Sequence, residues 1–311
     1  MEQPSVQPGQ LRNETIGLNL RQRTKWFLFY AAGLVLCFAV PLLGLLRFAL
    51  QSDLYSHALL VPAISAYLVW MDRHRLGRAF EPAPRLVIGL FLPGLALLAA
   101  YGLGRASGWQ PSNENDRLSL FTVAFLFFFA GGTAWCYGSR VMRNLAFPLA
   151  FLIFMAPLPQ LLEIKLVNFL QLASAETSYW FLTLSGMPVF RTGTEFTLPG
   201  ITIAVAPECC GIRSSLVLFM TGLLAGYFFL RQPWSKITLA ACLVPLGILR
   251  NAFRIFVLAQ LAVHVDPDIL NSDLHHRGGP IFFAASLAPF FLLIWFLRKR
   301  EARSKKGPGK V

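Results

Sequence analysis

Long apolar runs separated by short polar stretches set the pattern of this chain. A bilayer-crossing helix needs about 20 apolar residues, within roughly 17–25. Runs of that kind lie at 26–50, 54–71, 86–104, 118–137, 144–160, 213–230, 237–263 and 280–298. The pattern predicts an all-α polytopic integral membrane protein with about eight transmembrane helices. A tail over 1–25 precedes a single membrane domain over 26–298, and a basic tail follows over 299–311. The second and fifth runs are short and carry Pro62, Pro148 and Pro157. Residues 161–186 are also apolar, but Asn168, Gln171, Ser174 and Ser178 recur at helical spacing and form a polar stripe. An interfacial or re-entrant helix on the outer side is expected there. The alternative is a span whose stripe faces the bundle.

The stretch that follows, within 161–212, has a different period. Phe196-Thr197-Leu198 and Ile201-Thr202-Ile203-Ala204-Val205 flank Pro199-Gly200 and read as two short β segments around a turn. An open hairpin in lipid would leave its edge groups unsatisfied, so it must lie outside the bilayer or be covered by protein. A small β-hairpin on the outer face is therefore expected, leading into Pro207-Glu208-Cys209-Cys210-Gly211.

Composition and charge narrow the class. Of 311 residues, 55% are hydrophobic and 14% charged, against roughly 25% charged in soluble domains. A water-soluble enzyme or DNA-binding protein is excluded as a reading of the whole chain. The net charge of +13 reflects orientation rather than nucleic acid, because cytoplasmic loops of membrane proteins collect Lys and Arg. Most of the 28 cations fall in the N-terminal tail, the 71–85 loop, Arg140 and Arg143, Arg231 and Lys236, and the tail from Arg298. The intervening loops hold Asn113, Glu114, Asn115, Asp116, Asp266, Asp268 and Asp273. Both termini are expected on the cytoplasmic side of the inner membrane. A crossing by 161–186 would put the basic tail outside. Residues 1–25 are polar, and the apolar run after them is too long for the core of a cleavable signal peptide.

Three polar groups stand at the expected outer ends of the last three spans: Glu208, Cys209 and Arg213; Arg250, Asn251 and Arg254; His275, His276 and Arg277. An arginine at helix mid-depth costs about 2.5–3.5 kcal/mol on insertion scales and normally faces a cavity or a partner. Arg254 either acts on a ligand or pairs with a carboxylate such as Glu208. A cysteine at a helix start has a lowered thiol pKa, because the helix N–H groups and nearby cations favour thiolate. With a histidine as acid or base and an arginine to receive an oxyanion, the set can perform acyl transfer. The plain alternative is a small apolar filler, the usual role of Cys in such proteins. Cys37, Cys136 and Cys242 lie in apolar runs, so no disulfide framework is implied. Adjacent Cys209 and Cys210 are a poor spacing for zinc, and neither metal nor cofactor is expected.

These residues carry a resemblance. Ala206-Pro207-Glu208-Cys209-Cys210-Gly211-Ile212-Arg213-Ser214-Ser215 resembles the signature of the exosortase/archaeosortase family, a Cys-Ser-Gly-(Ile/Leu)-Arg-Ser run that opens a membrane helix. Asn251-Ala252-Phe253-Arg254-Ile255 is similar to the family's Asn-x-x-Arg-Ile box, and His275-His276-Arg277-Gly278-Gly279 to its His-to-Gly box. Tyr55-Ser56-His57 with Leu60-Val61-Pro62, and Phe147-Pro148 with Phe154-Met155-Ala156-Pro157-Leu158-Pro159, resemble earlier family blocks. The resemblance implies a membrane-embedded cysteine transpeptidase or protease with Cys209 as nucleophile, Arg254 as transition-state stabiliser and His275 or His276 as acid/base. Gly211 favours Cys209 over Cys210, and counting back from Gly279 favours His275. Its substrates would be exported proteins with a C-terminal signal: a Pro-Glu-Pro-like motif, a transmembrane helix and a basic cluster. Glu208, Arg213, Arg250, Asn251 and His57 would bind substrate or support the site, although His57 also reads as a satisfied structural histidine. Two rival readings are an anion-path transporter, which predicts polar residues spread through several spans, and a polytopic acyltransferase that needs no thiol.

Overall fold

A computed structural model of the chain describes residues 8–73, 81–108, 113–206, 210–272 and 278–305. The chain divides into two compact units, Met1–Gln160 and Leu161–Val311.

The first unit contains α1 (Pro8–Cys37), α2 (Ala39–Gln51), α3 (Val61–Met71), α4 (Pro84–Ala106), α5 (Glu114–Asn144) and α6 (Ala146–Phe151). The first expected span is bent by 72° between α1 and α2. Pro41 explains the bend, since it has no N–H for the Cys37 carbonyl and its ring crowds that oxygen. Small residues on α5 let its neighbours approach. A Cβ on Gly131 would lie 2.6 Å from the Phe91 ring of α4, and one on Gly132 would lie 2.0 Å from the Tyr30 ring of α1. The Tyr30 hydroxyl then donates to the Phe128 carbonyl at 2.9 Å.

Two expected spans are built differently from plain helices. Residues 54–71 comprise a short 3-10 segment, Ser56–Leu59, followed by the 11-residue α3. The run at 144–160 is helical only to Met155. Ala156 is extended (φ −76°, ψ 129°), because Pro157 disfavours the helical conformation in the residue before it. The non-helical Ala156-Pro157-Leu158-Pro159 link follows, and the helices on either side of it are bent by 89°.

The loops of this unit gather at two ends. At one, the Leu158 N–H donates to the Tyr55 hydroxyl at 3.3 Å, the Gln160 N–H to Asp116 Oδ1 at 2.7 Å, and the Asn113 amide to Gln160. At the other, α5 breaks at Gly138 (φ 81°, ψ −178°), where the 118–137 span was expected to end. The Glu81 carbonyl accepts from the Ser139 N–H at 2.9 Å. The Glu81 carboxylate accepts from Ser139 Oγ at 3.0 Å and pairs with Arg140 at 2.6 Å. A Cβ on Gly138 would sit 2.3 Å from that carbonyl, so only glycine fits the break.

The second unit runs through α7 (Gln160–Leu184), β1 (Phe190–Thr192), β2 (Glu195–Leu198), β3 (Ile201–Ala204), α8 (Ile212–Phe229), α9 (Pro233–His264) and α10 (Gly279–Lys305). The expected hairpin is a three-stranded antiparallel sheet in the order β1-β2-β3. β2 and β3 pair Leu198 with Ile201 across Pro199-Gly200, with Gly200 at φ 81°. The strand absent from the sequence reading is β1, which pairs Arg191 with Phe196 and has too few apolar residues to announce itself. Phe196 and Leu198 are buried against Ala175 and Leu182 of α7 and Ile255 and Ala259 of α9. Protein therefore covers one face of the sheet.

The polar stripe of α7 is divided: Asn168 is exposed, while Gln171, Ser174 and Ser178 turn toward the protein. Ser174 and Ser178 are fully buried, Gln171 donates to the Val205 carbonyl, and Ser178 donates to the Ala252 carbonyl at 3.4 Å. Its exposed side instead carries Leu161, Leu162, Phe169, Leu172 and Trp180. Among the described residues, α4, α5, α8, α9 and α10 are long and apolar enough to cross a membrane alone. The number reaches seven if α1–α2 and α6–α7 each count as one span, and Ser56–Met71 is a shorter apolar helix. The chain is an all-α polytopic membrane protein with a small sheet.

Candidate active site

The site is built where α8 begins against the middle of α9. The two helices run close because small residues face larger ones along the seam. A Cβ on Gly222 would come within 2.3 Å of Leu243, and one on Gly247 within 3.0 Å of Ser215 Oγ. At the top of this seam Gly211 caps α8 in the left-handed conformation (φ 74°, ψ 19°). A Cβ there would meet Asn251 Oδ1 at 2.8 Å and Arg250 Nη2 at 3.1 Å. Both the backbone angle and the space require glycine.

Three donors converge on the Gly211 carbonyl: the Ser215 N–H at 2.9 Å, Ser214 Oγ at 3.2 Å and Arg250 Nη2 at 3.3 Å. Arg250 Nη2 also reaches Ser215 Oγ at 3.3 Å. The arginine is only 7% exposed, and among the described residues its Nη1 has no hydrogen-bond partner. A buried guanidinium with an unused N–H is costly unless an acceptor arrives. Asn251 is 2% exposed. Arg254, one turn further along α9, is half-buried, and Arg213, on the first turn of α8, is exposed.

The structure thus sets Arg250 and Asn251 of the second polar group against Gly211, while Arg213 is the one member of the first group among the described residues. Pro207, Glu208, Cys209, His275, His276 and Arg277 lie outside the described residues. Cys210 is inside them, and its side chain is fully buried. Ser215 was not singled out as a site residue, although it closes the Cys-Cys-Gly-Ile-Arg-Ser-Ser run. Its role depends on Gly247 and Arg250, more than thirty residues away, which no local pattern reveals.

His57 belongs to the first unit. Its Nδ1–H donates to the Leu54 carbonyl at 2.9 Å, and its ring lies 6.2 Å from that of Tyr55. The two upstream blocks interlock in that unit: Tyr55 holds Leu158, and Ser65 Oγ donates to the Pro148 carbonyl at 2.6 Å. No group of three or more His, Cys, Asp or Glu side chains suited to a metal ion occurs among the described residues.

No curated protein and no solved structure matches the chain. A family model described as transmembrane exosortase matches residues 49–292. That range contains every block of the resemblance, from Tyr55 to Gly279, in a chain whose α8–α9 seam unites the first two site boxes. The chain belongs to the transmembrane exosortase family.

Proposed function

We propose that this protein is a cysteine peptidase or transpeptidase that cleaves the C-terminal sorting signal of exported proteins at the outer face of the inner membrane. The observation that carries the reading is the fixing of Gly211: Arg250 donates to its carbonyl and Asn251 packs against its Cα, at the residue that joins the Cys209-Cys210 pair to the N-terminus of α8. A helix start beside fixed cations favours thiolate, and Cys209 is one residue further than the buried Cys210 from that start.

In this reading the Cys209 thiolate attacks the scissile carbonyl, and a C–S bond forms. The carbonyl oxygen becomes an oxyanion that Arg254 receives. The histidine, His275 in preference to His276, passes a proton to the leaving amine as the C–N bond breaks, leaving a thioester. Water, or a nucleophile on a surface acceptor, then takes the acyl group and frees the thiol. Arg250 keeps the nucleophile loop in place and offers its remaining N–H to the bound chain. Arg213, Glu208 and Asn251 support the same corner.

The test is co-expression with a candidate substrate that carries a Pro-Glu-Pro-type motif, a transmembrane helix and a basic cluster. A Cys209-dependent fall in substrate size is expected. Processing that survives alkylation and Cys209→Ala would remove the thiol mechanism and favour an acyltransferase without a nucleophilic cysteine.

A further inference from the structure

At the other end of the second unit, the α8–α9 turn meets the last part of α10. Glu301 is 8% exposed, and its two carboxylate oxygens accept from the backbone N–H groups of Arg231 (3.1 Å) and Gln232 (3.0 Å). The carboxylate therefore holds the turn that leads into α9, close to the helix N-terminus, where the dipole favours a negative charge. Its charge is committed to the protein's own backbone.

Beside it is a recess of about 260 Å³ lined by Phe228, Phe229, Arg231, Arg298, Glu301 and Ala302. Both arginines are exposed. Among the described residues, neither guanidinium makes a hydrogen bond or an ion pair. Lys236, Lys299, Arg300 and Arg303 lie close by in sequence, and Glu301 is the one acidic residue among them. The recess therefore carries an uncompensated positive charge.

Its surroundings mark the depth of lipid headgroups. Phe228 and Phe229 are 46% and 47% exposed and close the apolar span of α8. Trp234 and Trp295 are exposed on the adjoining helix turns. Lys299 Nζ lies 4.6 Å from the Trp295 ring and Lys236 Nζ 5.6 Å from the Tyr227 ring. Exposed Trp beside Lys and Arg at the end of an apolar helix is the composition of a membrane–water boundary.

We propose that this recess binds the phosphate of an anionic phospholipid. Arg231 and Arg298 take the phosphate oxygens, as planar guanidinium forks do well, and Phe228 and Phe229 lie against the upper acyl chains. The cation cluster repels the ammonium of a zwitterionic headgroup, so phosphatidylglycerol is preferred to phosphatidylcholine. The bound lipid ties the α8–α9 turn to α10, reinforcing the link that Glu301 makes.

The test uses the full chain purified in detergent, with retained lipid read by native mass spectrometry and unfolding temperature read during lipid titration. Phosphatidylglycerol should stay bound and raise the unfolding temperature, while phosphatidylcholine and inorganic phosphate should do neither at equal concentration. Arg231→Gln with Arg298→Gln should weaken phosphatidylglycerol binding about tenfold or more, given about 1.5–3 kcal/mol for each hydrogen bond to a charged group. Lys305→Gln with Lys310→Gln, an equal loss of charge in the tail, should leave binding unchanged. Arg298→Gln alone covers the case in which the double variant does not accumulate. Equal binding of phosphatidylcholine, equal weakening by the tail control, or full competition by inorganic phosphate would overturn the lipid site. None of these readouts involves substrate cleavage, so the result is independent of the proposed catalytic activity.

Discussion

At the residue scale, α8 begins on a glycine that no side chain can replace. Gly211→Ala must adopt a left-handed backbone, at about 1–2 kcal/mol, and push its Cβ into Asn251 Oδ1 at 2.8 Å. Substrate processing should fall sharply while the protein still reaches the membrane, as measured by processed product per unit of inserted enzyme. The two thiols should behave differently. Cys209→Ala or Cys209→Ser should abolish processing. Cys210→Ser should retain much of it, because Cys210 is fully buried and Ser stands there in the family pattern that the chain resembles. The opposite ranking would move the nucleophile to Cys210. Arg254→Lys and Arg254→Ala should each cost about 10²–10³ in rate, as loss of an oxyanion donor typically does. Lysine has no planar fork to substitute for the guanidinium. Recovery of activity in Arg254→Gln combined with Glu208→Gln would reduce Arg254 to a structural counter-ion.

At the element scale, breaks and seams were the hardest features to read. Residues 145–159 are apolar throughout, yet the helix stops at Met155 before Pro157 and the chain bends by 89°. Gly138 is one of 24 glycines, and only the close approach of Glu81 makes it special. Gly138→Ala should release the 81–83 segment from α5 and lower the unfolding temperature measurably. The sheet illustrates the other side of the problem. Its turn was legible because Pro-Gly is a local signal. Its first strand was not, because Arg191 and Thr192 have no apolar alternation and pair only once β2 is in place. Phe196 is fully buried between α7 and α9. Phe196→Ala should therefore cost about 3–5 kcal/mol, seen as a lower denaturation midpoint of the inserted protein.

At the scale of the whole molecule, the cation-rich segments predict one side of the membrane. Within the first unit, Arg140 is indeed held beside the 81–83 segment, while the Tyr55, Asp116 and Gln160 loops meet at the other end. Reporter fusions after Lys310 should stay cytoplasmic and fusions near Asp268 should be exported; the reverse result would invert the proposed orientation. What the sequence determined by itself was the class of molecule, the apolar segments and the motifs of the family. Each of these follows from composition, period or local spacing, which the chain carries without needing to fold. Tertiary structure alone decided that Ser174 and Ser178 of the α7 stripe are buried while Asn168 is exposed, that Cys210 is buried, and that Ser215 and Arg250 share the Gly211 carbonyl. Those outcomes depend on which distant side chains occupy the same space, and close packing settles that only when the helices meet.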